Sequence, residues 1–555
     1  MMNAVIPHFS VAVLSVSFWW NIDVFATTTT RPNIVFILAD DLGYRDVGYH
    51  GSSVIETPTI DRLAYGGVRL ENYYTQESCT PSRSSLLSGR YPIHTGLQHK
   101  AIELCQANSL PKEMPTLAGM LHDAGYATHM VGKWHLGHYA EEVVPTQRGF
   151  DCFFGQLSGM EYYYTHTWCE DAQVLIQNSV QHLKLQKLNR RNSTHSFIEK
   201  FGSEWCGIDL RENEDRAVNY SGQYSTHLFT EKATEVIRAH AEKQATKPLF
   251  LYLSYLSNHQ PMDPAPEPYT KQYLSIMDKN RTIYAGMTAC VDESVLNITI
   301  ALEKYGLWNN TIVIFSTDNG GDTRFGGYNW PLRGEKGTLW EGGMKAIGLV
   351  HSPLIGHRAG TVSNGLIHIN DWFPTLVALA GSDTAGLNLD AFDVWKTIAD
   401  GQSSPRNEIL HAIDPLAPKH GIRLNISNWD NRVRAAIRVG NWKLITGGSP
   451  HTNSWIAPPE DPHIHSVYDT DPALKNIWLF DIVSDPLEKT DLFESRQDIA
   501  VDLLNRLAEY QSTAVPVRYP KHDLRCNPKF HNGFWGPWRQ LKNVKHQNIS
   551  PPEDV

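Results

Sequence analysis

"NIVFILADD", Asn33 to Asp41, is an apolar run closed by two carboxylates. Seven residues without polar alternation read as a strand buried on both faces, the kind found inside a parallel sheet covered by helices. "TIVIFSTDN", Thr311 to Asn319, repeats the design and ends in Asp318 and Asn319. "PLFLYLSYLSN" (Pro248 to Asn258) is followed by His259, and "ATHMVGKWHLG" (Ala127 to Gly137) carries Lys133 and His135. Open α/β sheets bind ligands beyond the carboxyl ends of their strands. Four such runs, each delivering polar residues at or past that end, predict an α/β core with one site assembled from distant segments.

Residues Asp40, Asp41, Asp318 and Asn319 offer only oxygen donors, which suits a hard cation such as calcium or magnesium. Either pair alone reads equally well as a helix cap or turn; both pairs at matching strand ends favour the cation. Lys133 and His135 are two apart, so on an extended segment they point the same way. Lys336 lies in the glycine-punctuated "PLRGEKGTLWEGG" (Pro331 to Gly343). With Arg83 these cations form a candidate clamp for a tetrahedral oxyanion, although a lone Lys or Arg is ordinarily a solvated surface charge.

"CTPSRSSLLSGR", Cys79 to Arg90, supplies the candidate nucleophile. Pro81 suits a first helical turn and Gly89 a helix end, so Ser82 to Leu87 is expected to be helical. Cys79 then stands just ahead of a helix N-terminus, where N–H groups attract anions.

The chain has 555 residues and a formal net charge of −10, with no basic stripe of the kind that binds nucleic acid. Its 25 histidines would make the surface more positive in an acidic compartment, or are simply solvated. "VAVLSVSFWW" (Val11 to Trp20), followed by Val24-Phe25-Ala26, reads as a signal peptide over residues 1–26. It is short for a membrane span, and no second span is expected. Sequons head at Asn192, Asn219, Asn280, Asn297, Asn309, Asn425 and Asn548, the last followed by Pro551. The seven cysteines leave at least one unpaired in an oxidising compartment, and Cys79 is the candidate. Strand–helix alternation weakens after about Gly381. The expected organisation is therefore a catalytic domain over 32–381, a smaller C-terminal α+β domain over 382–538 and a polar tail over 539–555. "HLKLQKLNRRNSTH" is expected to be an exposed basic insertion.

The motif at Cys79 matches the sulfatase signature C-x-P-S-R-x-x-L-x-x-G-R at every specified position, and "GYATHMVGKWHLG" (Gly125 to Gly137) matches the second sulfatase signature. At about one in twenty per letter, seven specified letters recur by chance on the order of once in a billion positions, far more specific than a bare glycine motif. The chain thus resembles the sulfatase family from about Pro32 to Trp538, and within it the group of arylsulfatases B, I and J. "PTQRGFDCFFG", "EYYYTHTWC" and "RCNPKFHNGFWGPW" carry that narrower likeness.

The resemblance implies an alkaline-phosphatase-like fold with a large mixed central sheet flanked by helices. It implies that a formylglycine-generating enzyme oxidises Cys79 to an aldehyde, read through Pro81 and Arg83. One hydroxyl of the hydrated aldehyde would attack sulfur, and deprotonating the second would eliminate sulfate. One calcium ion would be held by Asp40, Asp41, Asp318, Asn319 and the converted Cys79. Arg83 would hold the hydrate, Lys133 and Lys336 the sulfate oxygens, His135 would act as base and His259 as acid toward the leaving oxygen. It further implies disulfides Cys105–Cys526 and Cys169–Cys206, with Cys152 and Cys290 paired together or, as preferred, buried thiols. The substrate implied is a sulfated sugar, first the 4-sulfate of N-acetylgalactosamine in dermatan or chondroitin sulfate, in the lysosome or outside the cell. Other sulfate-ester specificities, phosphate-ester hydrolysis and a noncatalytic glycan-binding homologue are the alternatives. The last two predict a Ser/Thr nucleophile or a lost site residue, and neither is seen.

Overall fold

A computed structural model describes residues 31–179, 203–244, 246–449 and 451–540. The signal peptide, the basic insertion with Asn192, Asn548 and most of the polar tail lie outside the described residues.

Ten strands form the large sheet: β1 (Asn33–Ala39), β2 (Val68–Leu70), β3 (Ala127–Gly132), β4 (Cys152–Gln156), β5 (Leu210–Glu212), β6 (Asp215–Arg216), β7 (Leu249–Ser254), β8 (Thr311–Thr317), β9 (Gly348–His351) and β10 (Thr361–Ser363). Their order is β10-β2-β9-β8-β1-β7-β3-β4-β5-β6. The five strands β8-β1-β7-β3-β4 run parallel, and antiparallel strands flank them on both sides. All seven residues of β1 are buried. Val35, Ile37 and Ala39 face helices α2 (Ser225–Lys243) and α3 (Lys279–Lys304), through Phe229, Ile237, Val291 and Val295. Ile34, Phe36 and Leu38 face α1 (Cys79–Ser88) and α4 (Trp372–Leu379) through Leu86, Leu87, Trp372 and Leu376. Two covered faces are why the run carries no polar alternation. α3 is long and apolar enough by composition to cross a membrane, but most of it is buried here in the core.

A second sheet, β11 (Glu408–Asp414), β12 (Arg434–Val439), β13 (Trp442–Thr446) and β14 (Ile477–Asp481), is an antiparallel meander. Leu410, Ile437, Leu444 and Leu479 pack under Leu503, Leu504 and Leu507 of α5 (Gln497–Thr513). Its other face, through Ala436, Ile445, Trp478 and Phe480, meets Leu339, Trp340 and Met344. The small α+β unit therefore braces the loop that carries Lys336. Cys105–Cys526 and Cys169–Cys206 are bonded, the first joining segments 421 residues apart. Cys290 is a buried thiol, but Cys152 is exposed, at the outer end of β4, contrary to the expectation for it.

Under that loop, the fully buried Lys443 lies 2.8 Å from Glu341 and 2.8 Å from Glu488. Lys443→Ala would leave two carboxylates buried without a cation, a loss of about 3–5 kcal/mol. We expect a lowered unfolding midpoint in thermal melts. A midpoint equal to wild type would show that Lys443 does not hold the loop onto the small sheet through these carboxylates.

Candidate functional site

Register places the site. Ala39 lies opposite Thr317, Leu38 opposite Ser254, and Ser254 opposite Gly132. Four neighbouring strands thus end at one level, and the residues that follow enter one space. Asp40 and Asp318 are fully buried there. Arg83, from α1, reaches both: Nε and Nη2 donate to Asp318 Oδ2 at 3.1 and 2.9 Å, and Nη2 donates to Asp40 Oδ2 at 3.1 Å. Nη1 donates to Ser254 Oγ and to the Lys133 carbonyl. The helix begins at Cys79 itself, three residues earlier than its proline suggests, and ends where Gly89 turns to φ +68° and donates to the Ser85 carbonyl. Cys79 Sγ lies 3.6 Å from Asp40 Oδ1 and 3.6 Å from Lys133 Nζ.

Lys133 and His135 do not share an extended segment. β3 stops at Gly132, whose φ is +105°, and a Cβ there would stand 1.9 Å from the Ser254 carbonyl oxygen. His135 itself takes φ +52°. The turn nevertheless brings both inward. Lys133 Nζ is ion-paired with Asp40. His135 Nε2 faces the Ile102 carbonyl at 3.0 Å, while Nδ1 is buried without a partner. Gly159 makes room for that ring, since a Cβ there would come within 2.6 Å of it.

On the opposite side, Lys336 Nζ lies 2.6 Å from Asp41 Oδ1. His259 points Nε2 toward Asp41 at 3.9 Å and holds the Gln260 carbonyl through Nδ1 at 2.6 Å. Asn319 Nδ2 donates to Asp41 Oδ1 at 2.7 Å, and its Oδ1 is buried without a partner. Asp40, Asp41, Cys79 and His259 present ligand atoms within 4.8 Å of one another, a group that could hold a metal ion.

Burial would raise the Asp40 carboxyl, but Lys133, His259, Arg83 and Lys336 together hold it far below the usual carboxylate range. Asp41 goes the other way, to about 7: burial and the charges of Asp40 and Asp318 outweigh Lys336. Burial and then Asp40 push the Cys79 thiol up to about 12, despite Lys133 and Lys336. His135 and His259 are both held well below the ordinary imidazole value, first by burial and then by Lys133.

Several participants gave no sign in the sequence. Ser254 closes a strand run that was read only for His259. Thr80 Oγ1 donates to the His135 carbonyl at 3.0 Å. Tyr163 OH donates to the His259 carbonyl at 2.7 Å. Residues 157–166 thus touch both histidines, through Gly159 and Tyr163, and nothing local in such a loop marks it as doing so.

Residues 32–382 match the family described as Sulfatase. The chain is 46% identical to arylsulfatase J of Mus musculus over 530 residues, which is 94% of this chain and 82% of that protein. It is 32% identical to N-acetylgalactosamine-6-sulfatase of Rattus norvegicus, over 94% of this chain and 93% of that one. Among solved structures it resembles Ps i-CgsB in complex with k-i-k-neocarrahexaose, with a TM-score of 0.69 and 27% identity, covering 90% of this chain and 98% of that one.

The loop over 157–166 is anchored by a buried ion pair: His166 Nδ1 lies 3.1 Å from Glu161 Oε1, and Nε2 faces the Tyr220 carbonyl at 3.2 Å. Two acceptors favour the imidazolium. Burial opposes it, but Glu161 wins, and the folded pKa rises above 6.5. A raised pKa contributes stability that is fully present below the unfolded value and is lost as pH rises through the folded one. His166→Gln should therefore lower the melting midpoint most at acidic pH, with the gap to wild type narrowing at alkaline pH. A gap that widens with pH would contradict a charged His166.

Proposed function

We propose that this chain, which belongs to the sulfatase family and is a sulfuric ester hydrolase, removes sulfate from a sulfated sugar through an aldehyde made from Cys79 and one calcium ion. The observation that carries this is Cys79 standing among three carboxylates and three cations in a buried site. The residues fit a hard cation. Asn319 Oδ1 is a buried oxygen with no partner, and the carboxylates of Asp40, Asp41 and Asp318 converge beside it. Those four residues would hold the ion, and the converted side chain of residue 79 would complete its shell. Bound there, calcium would supply fixed positive charge beside the nucleophile and the sulfate oxygens. Formylglycine would supply a hydrated aldehyde with two hydroxyls, one to attack sulfur and one to release sulfate by elimination.

The chain's own residues do the rest. Arg83 orients Asp40 and Asp318 and offsets their charge. Lys133, 3.6 Å from the position 79 side chain, and Lys336 take the sulfate oxygens, where charge grows in the transition state. His135 donates its Nε2–H to the Ile102 carbonyl, which leaves the Nδ1 lone pair to accept the proton of the hydrate. His259, Nδ1–H committed to Gln260, places Nε2 to hand a proton to the leaving oxygen. An anionic substrate would offset the lysine charges that, after burial, keep this ring neutral.

We take the 4-sulfate of N-acetylgalactosamine in dermatan or chondroitin sulfate as the preferred substrate, from the arylsulfatase B-type motifs. A relative named for N-acetylgalactosamine 6-sulfate supports the sugar class. Catalytic and C-terminal domains are assigned to 32–381 and 382–538. Routing through the secretory pathway to the lysosome or outside is supported by the sequons at Asn219, Asn297, Asn309 and Asn425, whose asparagines are all exposed. The formylglycine-generating enzyme is the maturation partner.

Mass spectrometry of the peptide spanning Cys79, from protein made in a secretory host, should find the aldehyde. An unmodified cysteine in protein that turns over aryl sulfates would refute the nucleophile. Cys79→Ala should abolish turnover, at least a thousandfold, with the melting midpoint retained. Chelation should lower that midpoint, and calcium at about 100 times its Kd should restore about 2.7 kcal/mol. Recovery with magnesium but not calcium would reassign the ion.

A further inference from the structure

A cleft of 580 Å3 opens on the edge hairpin of the large sheet, away from the buried carboxylates. Arg211, Arg216, Leu157 and His531 are among the residues lining it. Register sets Arg211 directly opposite Arg216, and both guanidinium groups lie over the Phe534 ring, at 5.4 and 5.1 Å from its centroid. Like charges opposed across a hairpin repel each other. Among the described residues neither arginine has a carboxylate within ion-pair distance. Arg211 is only 6% exposed; Nη2 donates to the Trp535 carbonyl, and Nε has no partner.

Glu141, Glu214 and Asp215 also line the cleft, but none of them is ion-paired with either arginine. Buried Asp209 accepts from the Ser158 N–H at 2.7 Å and acts on Arg211 only from beyond ion-pair distance. Glu214 is turned onto Thr146 and Gln147. Glu141 and Asp215 stand on the exposed rim. A buried guanidinium with no carboxylate in direct contact is costly to the fold, and an oxyanion presenting two oxygens is what its fork accommodates.

Backbone on the wall of the cleft is tied to the reaction site. Leu157, on its wall, accepts the His135 N–H at 3.2 Å, and Gly159 two residues on lies against the His135 ring. We propose that this cleft is a second anion site, which takes a sulfate or carboxylate of an extended sulfated glycan while another unit of that chain occupies the Cys79 site. This rests on the sulfated-sugar reading above. The Phe534 ring beneath both guanidinium groups attracts them through its face and favours this placement.

The test is calorimetry on the full-length Cys79→Ala protein with a chondroitin sulfate hexasaccharide and with 4-sulfated N-acetylgalactosamine. Adding Arg216→Ala, at an exposed position, should weaken the hexasaccharide roughly tenfold, the loss of one charge-assisted contact, and leave the monosaccharide unchanged. Arg211→Gln should do the same, with a melt to show that it folds. A desulfated hexasaccharide that keeps the Arg216-dependent step assigns the carboxylate; one that loses it assigns the sulfate. Hexasaccharide affinity indifferent to both substitutions overturns the cleft, as does a hexasaccharide that does not bind. Failure of the proposed reaction reads differently. Wild-type protein without aryl-sulfate turnover, but with Arg216-dependent hexasaccharide binding, removes the chemistry and leaves the anion site standing.

Discussion

The buried guanidinium of Arg83 is the contact on which the site depends. Asp40 and Asp318 follow adjacent parallel strands, so register alone forces two carboxylates into one dry space. Unpaired, they would neutralise themselves by taking up protons. Arg83 bridges them with charge-assisted hydrogen bonds and is itself fully buried. It also ties down Ser254 and the Lys133 carbonyl, the ends of the next two strands. One side chain from α1 thus holds four strand ends together and fixes Cys79, one turn earlier on the same helix, above them.

Charge balance follows from this geometry. Asp40, Asp41 and Asp318 face Arg83, Lys133 and Lys336, three against three. Such a site is neutral only if all three carboxylates are ionised, yet burial and mutual repulsion push Asp41 toward protonation. A divalent cation would resolve that conflict and leave the site two charges positive. A sulfate ester brings one negative charge, and the sulfate released carries two. With that ion bound, the site would match what forms during the proposed reaction more closely than what enters it, the differential that lowers a barrier.

The parts of this arrangement carried by continuous apolar runs were legible before any coordinates. β1 and β8 begin and end where their runs do, and the four strand ends meet because parallel register is nearly level. The Cys105–Cys526 and Cys169–Cys206 bridges follow the family resemblance. What depended on turns was not legible. Gly132 breaks the segment that would have aligned Lys133 with His135, and each residue reaches the site by its own route. Cys152 belongs to a strand, but at its outer end, so strand membership did not bury it. Ile102 acts through its carbonyl and Gly159 through space left empty, while the Thr80 and Tyr163 hydroxyls grip backbone carbonyls far away in sequence, and local pattern marks none of these contacts.

Cys79 shows why chemistry has to be added to this fold. A thiol at a helix N-terminus ordinarily gains acidity from the helix dipole. Here burial and the Asp40 carboxylate, with its oxygen 3.6 Å from the sulfur, outweigh that gain and two nearby lysines. A thiol pushed up to about 12 is almost wholly protonated at any physiological pH, so it is a poor nucleophile. The same surroundings suit a different group. Lys133 and Arg83 can hold hydroxyl oxygens, and His135 keeps a free lone pair on Nδ1 to take a proton from one. The proposed reaction resolves this: such surroundings would suit an oxygen nucleophile at position 79, with the cysteine as its precursor.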